Sequence, residues 1–201
     1  IVRFFHDFLL PSAAEDEVRR HIRVCHDVCH AVVMRESQRD VLAKYRDAGI
    51  NIGKVQISSA ITVDFDSIPP SDRQLAFGQL SSFAEDRYLH QTTVHADGET
   101  QFYADVPDAL ATVDEPSLAA GQWRVHFHVP VYLTQFGWLS ASQQAIVDCV
   151  SCCREFTDVE HFEVETYAWN VLPPELQVEE LATGIAHEMK WFSQLAEEHL
   201  A

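Results

Sequence analysis

Short apolar runs alternate along this chain with stretches of helical periodicity, and that alternation limits the fold more than any other feature. RVCHDVCHAVV (23–33) is an apolar β-type run, followed by a helical pattern over about 36–48 that Gly49 stops. INIGKVQISSA (50–60) reads as a second buried strand, and the pattern over 69–82, opened by Pro69-Pro70, as a helix. QWRVHFHVPVYL (122–133) is a third buried strand with a helix at about 140–156 after it. HFEVETYAW (161–169) is a fourth, and Pro173-Pro174 leads into a final amphipathic helix through Leu200. Between the second helix and the third strand, DRYLHQTTV and ETQFYADV alternate around Ala96-Asp97-Gly98, a strong turn signal, so a β-hairpin is expected at about 84–105.

With the hairpin set aside, four strands alternate with four helices, the α/β pattern that predicts a parallel sheet. Such a set makes half of an eight-fold barrel or a small open sheet, and periodicity alone does not separate the two. The chain begins abruptly on a helix-like apolar pattern at residues 1–10, followed by a charged helical turn at 14–22. That start favours the C-terminal half of a (β/α)₈ barrel whose N-terminal strands lie upstream. Residues 1–201 are expected to be one domain, and a half barrel with exposed sheet edges calls for that missing half or a homo-oligomer.

Composition narrows the function. A chain of 201 residues, 47% hydrophobic and 22% charged, suits one compact unit with a sizeable core. Its 31 acidic and 14 basic residues give a formal net charge of −17, which repels a polyanion and argues against nucleic acid as partner. No apolar run reaches the roughly 18–20 residues needed to span a bilayer. Five cysteines, an odd number in a chain too large to need staples, point to a reducing, cytoplasmic setting. Cys149, Cys152 and Cys153 fall in a helical pattern and read as buried helix cysteines rather than as half of a zinc site.

The chemistry-bearing residues sit where an α/β fold exposes its strand ends. The first strand closes on Asp27 and His30, the second carries Gln56 followed by Ser58 and Ser59, the third His126 and His128, the fourth Glu163 and Glu165. Residues two apart on a strand share a face, so His126 pairs with His128 and Glu163 with Glu165. A carboxylate in an apolar strand must be ligated, hydrogen-bonded or ion-paired, which singles out Glu165. Imidazole mixed with carboxylate suits Zn, Mn or Fe without choosing among them. His90, in the hairpin, is expected at a solvated strand position.

RVCHDVCHAVV resembles the fifth-strand motif of the xylose-isomerase-like barrels, which include sugar phosphate isomerases, epimerases and AP endonuclease 2-type repair enzymes. Its D-x-x-H, a His or Gln on strand six and a Glu closing strand eight are matched here by Asp27, His30, Gln56 and Glu165. In combination, VCHDVCHAVV, GKVQISSA, YLHQ, WRVHFHVPV and HFEVETYAWNVLPPEL are similar to the EboE-type metabolite traffic proteins, barrels linked to secondary-metabolite export. The resemblance implies a divalent-metal-dependent isomerase or epimerase acting on a small-molecule metabolite. It implies Asp27, His30, His128 and Glu165 as metal ligands, Gln56 and His126 as substrate-binding groups, and Glu165 as acid/base. His126 where the endonucleases carry Asp, together with the charge, argues against DNA repair. A non-catalytic carrier with an aromatic mouth (Tyr132, Phe136, Trp138, Trp169) and a metal-dependent hydrolase are the other readings.

Overall fold

The computed structural model describes residues 1–165, 172–177 and 180–200. The chain opens on α1 (Val2–Phe4), continued by a π-turn, then α2 (Glu15–His21), β1 (Val24–Asp27), α3 (Val28–Val33), α4 (Gln38–Asp47), β2 (Ile52–Ile57) and β3 (Ser59–Asp64). There follow α5 (Arg73–Ser81), β4 (Thr92–Ala96), β5 (Glu99–Tyr103), α6 (Val106–Leu110), β6 (Gln122–Val129), β7 (Gln135–Phe136) and β8 (Leu139–Ala141). The last elements are α7 (Gln143–Phe156), β9 (Phe162–Val164) and α8 (Leu181–His199).

Local chemistry sets several boundaries. The Asp27 carboxylate accepts the His30 N–H at 3.2 Å and caps α3, so the run expected as one strand over 23–33 turns helical at Val28. Ser37 caps α4 by accepting the Asp40 N–H. Gly49, at φ +65°, ends that helix, with its N–H on the Arg46 carbonyl and that of Ile50 on the Tyr45 carbonyl.

Among the described residues the strands form two sheets. One is parallel and three-stranded, in the order β1-β2-β9; the other has six strands in the order β5-β4-β6-β3-β8-β7. Every pairing in the larger sheet is antiparallel. The expected half barrel is therefore wrong. A (β/α)₈ half needs four parallel neighbours in one sheet, whereas the third predicted strand, β6, runs antiparallel between β3 and β4, with Val125 opposite both Ile61 and Thr92. The run over 50–60 is also two strands rather than one, because it breaks at Ser58 and enters a different sheet on each side. The β4–β5 hairpin turns at Asp97 (φ +51°) and Gly98 (φ +80°) and adds to the edge of β6, extending the larger sheet. An apolar run records that a strand is buried, not which way its neighbour runs.

Each sheet has its own core. β2 and α3 pack Val55, Ile57 and Val28 against Leu42 of α4, Ile146, Cys149 and Val150 of α7, and Phe192 of α8, with Phe162 and Val164 of β9 beside them. Ile61 and Val63 of β3 and Trp123, Val125 and Phe127 of β6 pack against Phe77 and Leu80 of α5. Cys149, Cys152 and Cys153 are buried in α7, and all five cysteines are free thiols. Among the described residues no helix is long and apolar enough to cross a membrane.

Candidate functional site

The site lies where the two sheets meet, and the hinge between them is Ser58. This fully buried residue ends the path along β2 and turns the chain into β3. Its hydroxyl donates to Asp27 Oδ1 at 2.6 Å and accepts the Cys29 N–H at 3.0 Å, which ties the end of β1 and the start of α3 to the break. Glu165 follows β9, its N–H on the Ile57 carbonyl at 3.1 Å, so its side chain arrives beside the same junction.

The larger sheet supplies the imidazoles. Along β6, Trp123, Val125, Phe127 and Val129 face the core around α5. The alternate residues face the parallel sheet and α3, where Arg124 donates to the Val32 carbonyl and His126 Nε2 stands 3.6 Å from Asp27 Oδ2. His128 is buried between two neighbours. Its Nε2 lies 3.0 Å from His126 Nε2, and its Nδ1 lies 3.1 Å from Glu165 Oε2.

Two overlapping groups of ligand atoms result, each lying within 4.8 Å of one another: Asp27, His128 and Glu165, and Cys29, His126 and His128. Burial, with Asp27 and Glu165 nearby, pushes the Cys29 thiol well above its ordinary range, so it stays protonated and is a poor ligand. Burial also pushes the Asp27 carboxyl up, but the Ser58 hydroxyl, His128, His126 and the His30 amide outweigh it and leave it below the usual carboxylate range. His126 is pushed down to about 4, chiefly by burial and then by His128, so its ring is neutral at pH 7 and keeps a lone pair. The close approach of His126 and Asp27 is for that reason not an ion pair at pH 7.

The expected site residues gather unequally. Asp27, His126, His128 and Glu165 form one cluster. His30 takes part in Asp27's cap through its backbone; its exposed ring stands edge-on to His126, with centroids 5.7 Å apart. Gln56 is in register with Asp27 and Glu163, but its Oε1 accepts the Cys25 thiol at 3.4 Å rather than turning into the cluster. Glu163 pairs with Lys54. His90 is 1% exposed and stacked on Phe127, against the expectation of a solvated position, because the chain entering β4 is walled by Glu85, Asp105 and the face of Phe127. Ser58 was legible only as a serine after an apolar strand; its bond to Asp27 depends on the break between sheets.

A cavity of about 380 Å³ adjoins the cluster and is lined by Cys25, His26, Asp27, His30, Met34 and Tyr45, among others. A larger groove of about 850 Å³ lies between α3, α4 and α7 and the polar face of β3 and β6, and none of the six expected site residues lines it. The smaller cavity is the one that meets the chemistry. The aromatic residues expected at a pocket mouth do not assemble: Tyr132 packs on His187, Phe136 is buried against Phe83, and Trp138 borders the larger groove. Trp169, like Thr166 and the end of the fourth expected strand, lies outside the described residues. The chain matches no protein-family model, no curated protein and no solved structure.

Proposed function

We propose that this protein holds a divalent cation (Zn, Mn or Fe) at the junction of its two sheets and acts as an isomerase or epimerase on a small hydroxy-carbonyl metabolite. The observation that carries the proposal is the convergence of Asp27, His128 and Glu165 ligand atoms within 4.8 Å, with His126 Nε2 a further 3.0 Å from His128. The donor set fits a cation: a carboxylate held ionised and a neutral imidazole supply lone pairs, and mixed oxygen and nitrogen donors suit the borderline metals. The resemblance of the strand-end motifs to those of the sugar isomerases points the same way, through the donor residues and not through a barrel.

Bound there, a divalent cation supplies Lewis-acid polarisation of a carbonyl or hydroxyl oxygen, which acidifies the neighbouring C–H. The protein's residues do the rest. Ser58 and the His30 amide fix the Asp27 carboxylate. The cavity beside Asp27, with Tyr45 and Met34 on its wall, has room for a small metabolite. The exposed His30 ring lines that cavity and is the group placed to move a proton between adjacent carbons. Five free thiols fit a cytoplasmic location.

Metal analysis tests the proposal. Near-stoichiometric Zn, Mn or Fe in the purified protein, lost in the His126→Ala/His128→Ala double variant, is the expected result, together with solvent deuterium entering a hydroxy-carbonyl substrate. Absence of metal from the wild type after incubation with each ion overturns it. Metal without deuterium exchange retains the site and rejects the isomerase chemistry.

A further inference from the structure

We propose that the larger groove binds a small molecule carrying a phosphate monoester, whose dianion is held between the guanidinium groups of Arg35 and Arg124. The groove, about 850 Å³, stands apart from the cluster at the sheet junction and needs no metal for this role. Arg124 lies on its wall, and its Nη1 donates to the Val32 carbonyl at 2.9 Å. Arg35 Nη2 donates to the Gln122 carbonyl, and Val32 and Gln122 both line the groove. Most of the N–H donors on the two guanidiniums are left over, and the Arg35 Nε is buried without a partner. Among the described residues neither cation pairs with a carboxylate, although the chain has 31 acidic residues against 14 basic. Burial lowers the pKa of both, and the charge of Arg124 adds to it at Arg35, which falls to about 10. Both are therefore cations at pH 7. Two like charges brought together away from any counterion are stabilised by an anion, and planar guanidinium forks match phosphate oxygens.

The backbone points the same way. α3 ends with Arg35 at φ +59°, its N–H on the Val32 carbonyl and the Glu36 N–H on the Ala31 carbonyl, the helix-ending turn in which glycine is favoured. Arginine there carries left-handed strain that glycine would avoid, and in return its guanidinium stands beside that of Arg124. The carboxylates of the groove face other groups. Asp64 accepts the Asp66 N–H and the Gln122 amide, and Asp148 accepts the Gln144 amide. Glu36 acts on His26 and Tyr45, which line the smaller cavity. The net charge of −17 repels a long polyanion, but salt at 0.1 M confines that field to about 10 Å, so the local pair decides for one small dianion. Thr62, Ser140 and the half-exposed indole of Trp138 line more of the groove, which suits a polar, hydroxyl-bearing body on the phosphate.

Calorimetric titration of the intact protein at pH 7.5 with glycerol phosphate, mostly a dianion there, and with acetate tests the proposal. Saturable binding of glycerol phosphate is expected, with acetate at least about 10-fold weaker. Arg35→Gly is the decisive variant. Relief of the left-handed strain is expected to keep or raise its urea midpoint, while its affinity for glycerol phosphate falls by roughly 10–100-fold. Arg124→Gln is expected to weaken binding to a similar degree. Arg39→Gln, at a residue that borders the same groove but pairs with Glu155, is expected to bind as the wild type does. An Arg35→Gly or Arg124→Gln protein with wild-type affinity overturns the proposal, as does a wild type that takes up no glycerol phosphate or takes acetate equally well. Equal losses in Arg39→Gln and Arg35→Gly would reduce the binding to diffuse attraction and overturn it too.

Discussion

His90 shows how burial decides the behaviour of a single side chain. Its ring lies 4.8 Å from that of Phe127, nearly parallel to it, with Glu85 at 3.4 Å, Asp105 at 3.8 Å and His128 also acting on it. Two carboxylates favour the charged ring, but burial is the larger influence and lowers its pKa below the ordinary 6.5. A folded-state pKa below the unfolded one gives stability that is present above about pH 6.5 and lost as pH falls, because the unfolded chain takes up the proton more readily. Urea midpoints measured between pH 7.5 and 5.5 are expected to fall more steeply for the wild type than for His90→Gln. Coincident profiles would show that the ring titrates as if in water. Little of this was legible in the sequence, since a histidine ahead of an alternating polar strand looks solvated until Phe127 is placed against it. The pairing of His126 with His128 was legible, because a two-residue spacing on a strand fixes a shared face whatever the sheet.

At the scale of elements, Gly121 secures the entry to β6. It has φ +74°, and a Cβ built there would stand 2.5 Å from the His95 carbonyl oxygen of the adjacent strand. Gly121→Ala therefore meets both left-handed backbone strain and a backbone clash on the strand that carries His126 and His128. A loss on the order of 2 kcal/mol or more is expected in urea unfolding. A variant with wild-type stability would mean that β4 and β6 part easily at this end. Most helices were legible from periodicity and stops: α4 ends at Gly49, α5 falls within 69–82, and α7 lies within 140–156. The strands were harder. β3 was hidden because Ser59 to Asp64 continues an apolar run with no Gly or Pro to mark the break at Ser58. Asp27 was read as the end of a strand, whereas it is also the cap of α3, a double role that places it in the site.

Across the whole molecule, the charge of −17 sets a measurable condition on stability. Self-repulsion among unpaired carboxylates opposes the compact state, and its range shrinks from about 10 Å at 0.1 M salt to about 3 Å at 1 M. Raising NaCl from 20 mM to 500 mM is expected to raise Tm by about 2–4 °C, the equivalent of about 1 kcal/mol for a chain of this size. A Tm that falls with salt would show that attractive pairs such as Arg39–Glu155 and Lys54–Glu163 outweigh the repulsion.

The sequence by itself determined where α4, α5, α7 and the β4–β5 hairpin lie, which residues carry donor chemistry, and a formal net charge of −17. These follow from local periodicity, side-chain type and net charge, none of which needs the position of a distant residue. Only the tertiary structure decided that β6 runs antiparallel between β3 and β4, that the sheets divide at Ser58, and that Glu165 meets His128 on the side away from His126. Strand direction and side-chain company are fixed by partners dozens of residues away: Val125 lies opposite Ile61 and Thr92, and Glu165 comes to 3.1 Å from the His128 ring. An apolar pattern is satisfied by burial against any of them.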